Sequence, residues 1–173
     1  MFLTISGLLM ARIFIAIRFN DELKKVLVAL LDALKERGVQ GNYCPYGNLH
    51  MTLAFIGESY DLTAIRKAVS EVKFEPFELT LDGLGSFPTK AGVIWCGLKD
   101  NAPVIELAKQ LRERFAANGV SYKDGVFFPH ISLIQHPSEI MTDIEIPKTS
   151  MRVTQIFIMK SERVDGELIY SEI

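Results

Sequence analysis

The sequence predicts a fold of mixed strands and helices, built on an internal duplication of a strand–helix–strand unit. Three observations carry this. Ile13 lies 37 positions before His50, and Val93 lies 37 positions before His130. A shift of 80 residues lays strand on strand and helix on helix, with His50 on His130, Thr52 on Ser132 and Leu53 on Leu133. The chain has 173 residues, 49% of them apolar, with no linker or low-complexity run, which suits one domain or two small lobes sharing a core.

The elements follow in order. "RIFIAIRF" (Arg12–Phe19) is rich in Ile and Phe and reads as a buried strand. Asn20 or Asp21 offers a helix cap. Leu23, Val26, Leu27, Leu30, Leu31 and Leu34 then recur at helical spacing, so the first helix spans Asp21–Arg37 until Gly38 ends it. A short extended piece passes Pro45 and Gly47 into the strand "NLHMTLAFIG". Ser59 or Asp61 caps a helix over Leu62–Val72. "FELTLDGLGSF" (Phe77–Phe87) alternates as a strand, and "GVIWCGL" (Gly92–Leu98) is another. Asp100 or Asn101 caps a helix over Ala102–Asn118, with Ile105, Ala108, Leu111 and Phe115 on its apolar face and Gly119 as its stop. "FFPHISLIQ" is the second histidine strand. "MRVTQIFIMKSERV" and "ELIYSEI" close the chain as two strands joined at Asp165–Gly166.

Composition narrows the function. A net charge of −2 argues against a protein that coats nucleic acid, yet leaves room for a pocket holding one or two phosphates. Cys44 and Cys96 stand far apart with no metal spacing, so they are expected as core thiols in a reducing, cytoplasmic setting. The apolar start "MFLTISGLLMARIFIAI" is interrupted by Arg12 and is too short for a membrane span. It also lacks the basic residues that begin a signal peptide. Met10 stands directly before the first strand. The expectation is a single bilobal domain over 10–173 and a dispensable extension over 1–9.

On a strand, residues i and i+2 share a face. His50 therefore pairs with Thr52, and His130 with Ser132. Met51, Leu53, Phe55, Ile131 and Leu133 are expected on the core side. Two imidazoles can divide proton acceptance and donation near neutral pH. Two hydroxyls can donate to phosphate oxygens without adding charge. The set fits phosphodiester cleavage, which needs a base, an acid and oxygen donors but no metal or cofactor. Zinc is disfavoured because each histidine has a hydroxyl partner rather than a carboxylate. His136, before Pro137, is expected as a loop histidine. Trp95 and Phe55 are expected in the core. Tyr43 and Tyr46, in the loop before the first motif, are the candidates for stacking on a nucleobase.

"HMTLAF" and "HISLIQ" resemble the paired H-x-T/S motifs of the two-histidine (2H) phosphoesterases. "MARIFIAI", "FFPHISL" and "KSERVDGELIYSEI" resemble the LigT-like RNA 2′,3′-cyclic phosphodiesterases, also called 2′-5′ RNA ligases. The resemblance implies a bilobal α+β fold, with two antiparallel sheets lining a central cleft and helices outside. It implies a monomeric, metal-free enzyme acting on RNA ends or nucleotides with a 2′,3′-cyclic phosphate, away from membranes. It assigns His130 as base and His50 as acid, with Thr52 and Ser132 binding phosphate. The family's second motif continues to an arginine, H-x-T-x-x-R, where this chain has Gln135. Gln donates hydrogen bonds but brings no charge. Arg12, Arg18, Lys123 and Lys160 are the candidates to supply it. Two other readings fit the residues: a phosphodiesterase for a small cyclic nucleotide or ADP-ribose cyclic phosphate, and a non-catalytic module that binds RNA ends or nucleotides.

Overall fold

A computed structural model describes residues 12–59 and 61–173. The expectation for the extension over 1–9 lies outside the described residues. The first unit is β1 (Arg12–Arg18), α1 (Asp21–Glu36) and, after a two-residue strand β2 (Asn42–Tyr43) and a 3-10 turn at Tyr46–Asn48, β3 (His50–Glu58). Next come α2 (Leu62–Ser70) and β4 (Phe77–Phe87). The second unit is β5 (Val93–Leu98), α3 (Ala102–Ala117) and β6 (Ile131–Gln135), followed by β7 (Ser150–Val153), β8 (Phe157–Val164) and β9 (Glu167–Glu172).

Local chemistry explains the helix ends. The Asn20 side chain accepts from the Leu23 amide at 2.9 Å, and Asp61 accepts from the Ala64 amide at 2.9 Å. At α3, Asp100 accepts from the Ala102 amide at 3.0 Å, while Asn101 makes no side-chain cap. The apolar stripe of α1 is buried as expected, through Leu23, Leu27, Leu30, Leu31 and Leu34. The stripe of α3 is turned slightly from the expected one. Val104 and Leu107 are buried beside Ala108, Leu111 and Phe115, while Ile105 is exposed.

Every strand pairing is antiparallel, in two sheets of order β3-β1-β8-β9 and β2-β6-β5-β4-β7. The duplication is visible in these orders. Strands β3, β1, β8 and β9 correspond to β6, β5, β4 and β7, and β2 adds an edge to the second sheet. One core joins both sheets to the helices, through Ile15, Leu53, Leu79, Ile94 and Ile131 of the strands and Leu27, Ile65 and Leu111 of the helices. The opposite faces of the sheets form the cleft. No described helix is long and apolar enough to cross a membrane.

One expected strand is two. "MRVTQIFIMKSERV" breaks after Val153: β7 pairs with β4, whereas β8 resumes at Phe157 against β1 in the other sheet. Each stretch is apolar enough to be a strand, and nothing in its periodicity shows that it changes sheets.

Candidate active site

The two histidine strands carry the same irregularity. In β3, Thr52 lies opposite Ala16 and Ala54 opposite Ile15, so Leu53 is an extra residue. In β6, Ser132 lies opposite Trp95 and Ile134 opposite Ile94, so Leu133 is extra. Such a bulge turns two successive residues to one side. Leu53 and Ala54 are both buried, as are Leu133 and Ile134. The next residue then returns to the cleft face. The fifth residue after each histidine, Phe55 or Gln135, therefore shares a face with its histidine and hydroxyl. Phe55, expected in the core, is 37% exposed and lines the cleft for this reason. Gln135 stands exposed at the end of β6, opposite Asn42 and Val93.

Both imidazoles are anchored alike. His50 Nδ1 donates to the carbonyl of Asn48 at 2.6 Å, and His130 Nδ1 donates to the carbonyl of Phe128 at 2.7 Å. The acceptor is in each case two residues back. Occupying Nδ1 this way leaves Nε2 as the atom that exchanges a proton. His50 Nε2 is 2.8 Å from Thr52 Oγ1, which donates to it when the ring is neutral. Asn48 is itself buried. Its Nδ2 donates to the Leu168 carbonyl at 2.7 Å, and its Oδ1 accepts from the Tyr170 amide at 3.3 Å. One side chain thus fixes β9 while its backbone fixes His50.

Aromatic rings surround both histidines. His50 lies 5.0 Å from Phe14 and 5.2 Å, edge-on, from Tyr170. His130 lies 4.9 Å, edge-on, from Phe87. Burial holds the His50 imidazole below its ordinary value; the Asn48 carbonyl opposes this, and repulsion from His130 adds to it. A cavity of about 410 Å³ opens beside the pair, lined by Thr52 and His130 from the two sheets and by Phe55, Phe87 and the segment from Tyr122 to Phe128.

Trp95, expected in the core, is also on the cleft face, directly opposite Ser132 in the ladder. Its indole lies over Gly85, where a Cβ would collide with it, and beside Gly97, where a Cβ would meet the Asp82 carbonyl at 2.9 Å and the ring at 3.2 Å; it packs 5.6 Å from Phe87 and 5.1 Å from Phe128. A signal was available in the sequence: glycines stand inside both β4 and β5, and glycine in a strand marks close approach.

The two tyrosines expected to stack on a base are engaged elsewhere. Tyr43 donates its hydroxyl to the Val39 carbonyl, and Lys35 covers its ring at 4.9 Å. Tyr46 donates to Asp21 at 2.9 Å beneath Lys24. Both brace α1. His136 is a loop residue, as expected, in the left-handed region at φ 53°. Of the four candidate cations, Arg18 pairs with Glu172 at 2.9 Å, and Lys160 pairs with Glu162 at 2.9 Å. Lys123 lines the cavity. Arg12 lies at the far end of β1, opposite Glu58. Among the described residues no group of three His, Cys, Asp or Glu side chains is placed to hold a metal ion. Both cysteines are free, and burial pushes Cys96 up to about 12 and Cys44 to about 11, the latter against the pull of Lys24.

Comparison with known proteins adds to this geometry. A family model described as the 2′-5′ RNA ligase superfamily matches residues 19–165. The RNA 2′,3′-cyclic phosphodiesterase of Thermotoga maritima is 28% identical, over 92% of this chain and 91% of that one. The protein of the same name from Archaeoglobus fulgidus is 32% identical over 70% of each chain. Among solved structures, Escherichia coli LigT complexed with 3′-AMP superimposes with a TM-score of 0.78 at 28% identity, over 94% of both chains.

Proposed function

Since the chain belongs to the 2′-5′ RNA ligase superfamily, we propose that it is an RNA 2′,3′-cyclic phosphodiesterase whose proton transfers are made by His50 and His130. The matched anchoring of the two rings carries this reading: each Nδ1 is tied to a backbone carbonyl two residues back, which directs Nε2 to chemistry. In the hydrolysis, His130 takes a proton from water as its oxygen bonds to phosphorus. The bond from phosphorus to the ribose 3′ oxygen breaks, and His50 protonates that oxygen. The product is a 2′-phosphomonoester. Thr52, Ser132 and Gln135 donate hydrogen bonds to the non-bridging oxygens, where charge builds up in the transition state. A 5′-hydroxyl in place of water gives a 2′-5′ linkage by the same steps, which is the ligase activity expected alongside. Base stacking falls to the cleft aromatics, Phe55 and Phe128, rather than to Tyr43 and Tyr46. Free thiols suit a cytoplasmic enzyme, which we read as a monomer.

One observation favours exchanging the two histidines. Burial shifts His50 toward its neutral form, and a neutral ring is the one ready to accept a proton. A substrate whose leaving group needs no protonation, such as a nitrophenyl ester, separates the two orders. The acid variant regains most of its rate on that substrate and the base variant does not. Recovery by His50→Ala supports His50 as acid, and recovery by His130→Ala supports the exchange.

The proposal as a whole is tested by a panel of 2′,3′-cyclic nucleotides, RNA ending in a 2′,3′-cyclic phosphate, ADP-ribose cyclic phosphate and 3′,5′-cyclic nucleotides. The expected result is turnover of the cyclic-phosphate RNA in EDTA, with the phosphate left on the 2′ oxygen. Binding without turnover would make the chain a non-catalytic module.

A further inference from the structure

We propose that Arg112, with Lys123, forms a subsite for a second phosphate, so that the cleft prefers an RNA end of several nucleotides to a cyclic mononucleotide. This rests on the phosphodiesterase reading and adds the class of substrate. Arg112 projects from α3 into the cavity that Thr52 and His130 also line. Its Nε is buried and has no hydrogen-bond partner. Among the described residues no carboxylate lies within ion-pair distance of its guanidinium or of the Lys123 ammonium. The Arg112 guanidinium sits instead between two rings, 6.0 Å from the centre of Tyr122 and 5.9 Å from that of Phe127. Arg112 is half-buried, so its charge is only partly solvated and has no counter-ion beside it among the described residues. Two cations of the first sheet are by contrast neutralised, Arg18 by Glu172 and Lys160 by Glu162. Asp124 also lines the cavity, with its Oδ1 accepting from the Gly125 amide at 2.8 Å. One carboxylate against two cations leaves a positive balance.

The position points to a phosphate other than the reacting one. The Lys123 amide donates to the Phe55 carbonyl at 2.7 Å, which ties this loop to the edge of β3. Phe55 stands five residues beyond His50, roughly 15 Å along a strand that rises about 3.3 Å per residue. A cavity of about 410 Å³ is of the size that takes a nucleoside rather than a lone anion. An RNA chain held by its cyclic phosphate at the histidines can thus lay a preceding phosphate on Arg112 and Lys123.

The test compares kcat/KM on a nucleoside 2′,3′-cyclic phosphate with that on a trinucleotide ending in the same group. The wild-type protein is expected to prefer the trinucleotide, mainly through KM. Arg112→Gln should cost the trinucleotide at least tenfold more than the mononucleotide, and Arg112→Lys should retain most of the preference. Lys123→Gln, at an exposed position where folding is not at issue, should weaken the preference in the same sense. Equal losses on both substrates, or an undiminished preference, would overturn the subsite. If the wild-type protein turns over neither substrate, the phosphodiesterase reading fails instead. Calorimetry with the 2′-phosphate products then reads the subsite directly. Tighter binding of the trinucleotide that Arg112→Gln abolishes supports it, and equal affinities overturn it.

Discussion

His50 and His130 occupy equivalent places, and burial holds the His50 imidazole below its ordinary value. Because His50 has a folded value below about 6.5, the unfolded chain binds more protons than the folded one between those two values. Stability is therefore expected to be full above that window and to fall as pH drops through it. Urea titrations across this range should show the slope, and His50→Gln should flatten it. Replacing either histidine by Ala should cost at least about a hundredfold in turnover. The double variant should cost far less than the product of the two, since a proton-relay pair fails as a unit. Gln135 shares the cleft face, so Gln135→Arg should lower KM for a cyclic phosphate, through a charged hydrogen bond contributing about 1.5–3 kcal/mol if aligned. An unchanged KM would mean that the cation need is already met. These residues were legible because chemistry leaves a pattern: a repeated H-x-[ST] at a fixed offset has few structural explanations. Asn48 was not legible, since its work depends on Leu168 and Tyr170 at the far end of the chain.

The elements were legible where local periodicity decides them. The leucine stripe of α1 and its Asn20 cap could be read directly, because helix burial and capping are local. The bulges at Leu53 and Leu133 could not, because a bulge is a property of two paired strands. Strict alternation sends Phe55 to the core, and the extra residue brings it back to the cleft. The same strand-level view explains Trp95, whose ring requires bare backbone at Gly85. Gly85→Ala should displace the indole and cost about 1–3 kcal/mol by overpacking. Trp95 is the chain's one tryptophan, so its emission should shift in that variant and respond to nucleotide in the wild-type protein. A silent tryptophan on saturation with nucleotide would remove the cleft wall from the binding surface.

At the scale of the whole molecule, neither sheet is made from a contiguous piece of chain. The first takes β8 and β9 from the C-terminal end, and the second takes β2 from the N-terminal half. Unfolding should therefore be a single cooperative transition despite the two lobes, with far-UV circular dichroism and Trp95 fluorescence coinciding. Two separated transitions would show that the lobes are independent. The duplication itself was legible from spacing. The exchange of strands was not, because Thr154–Ile156 carries no mark of a crossing from one sheet to the other. The pair Phe55 and Gln135 has a consequence for direction. A cleft of true twofold symmetry would present identical groups to a phosphodiester lying either way round. Here the equivalent positions hold a ring on one side and an amide on the other. A strand entering backwards would set its charged backbone on the phenyl and its base on the amide. An RNA chain is therefore expected to enter the cleft in one direction only, set by the one place in the repeated motif where the two copies disagree in kind.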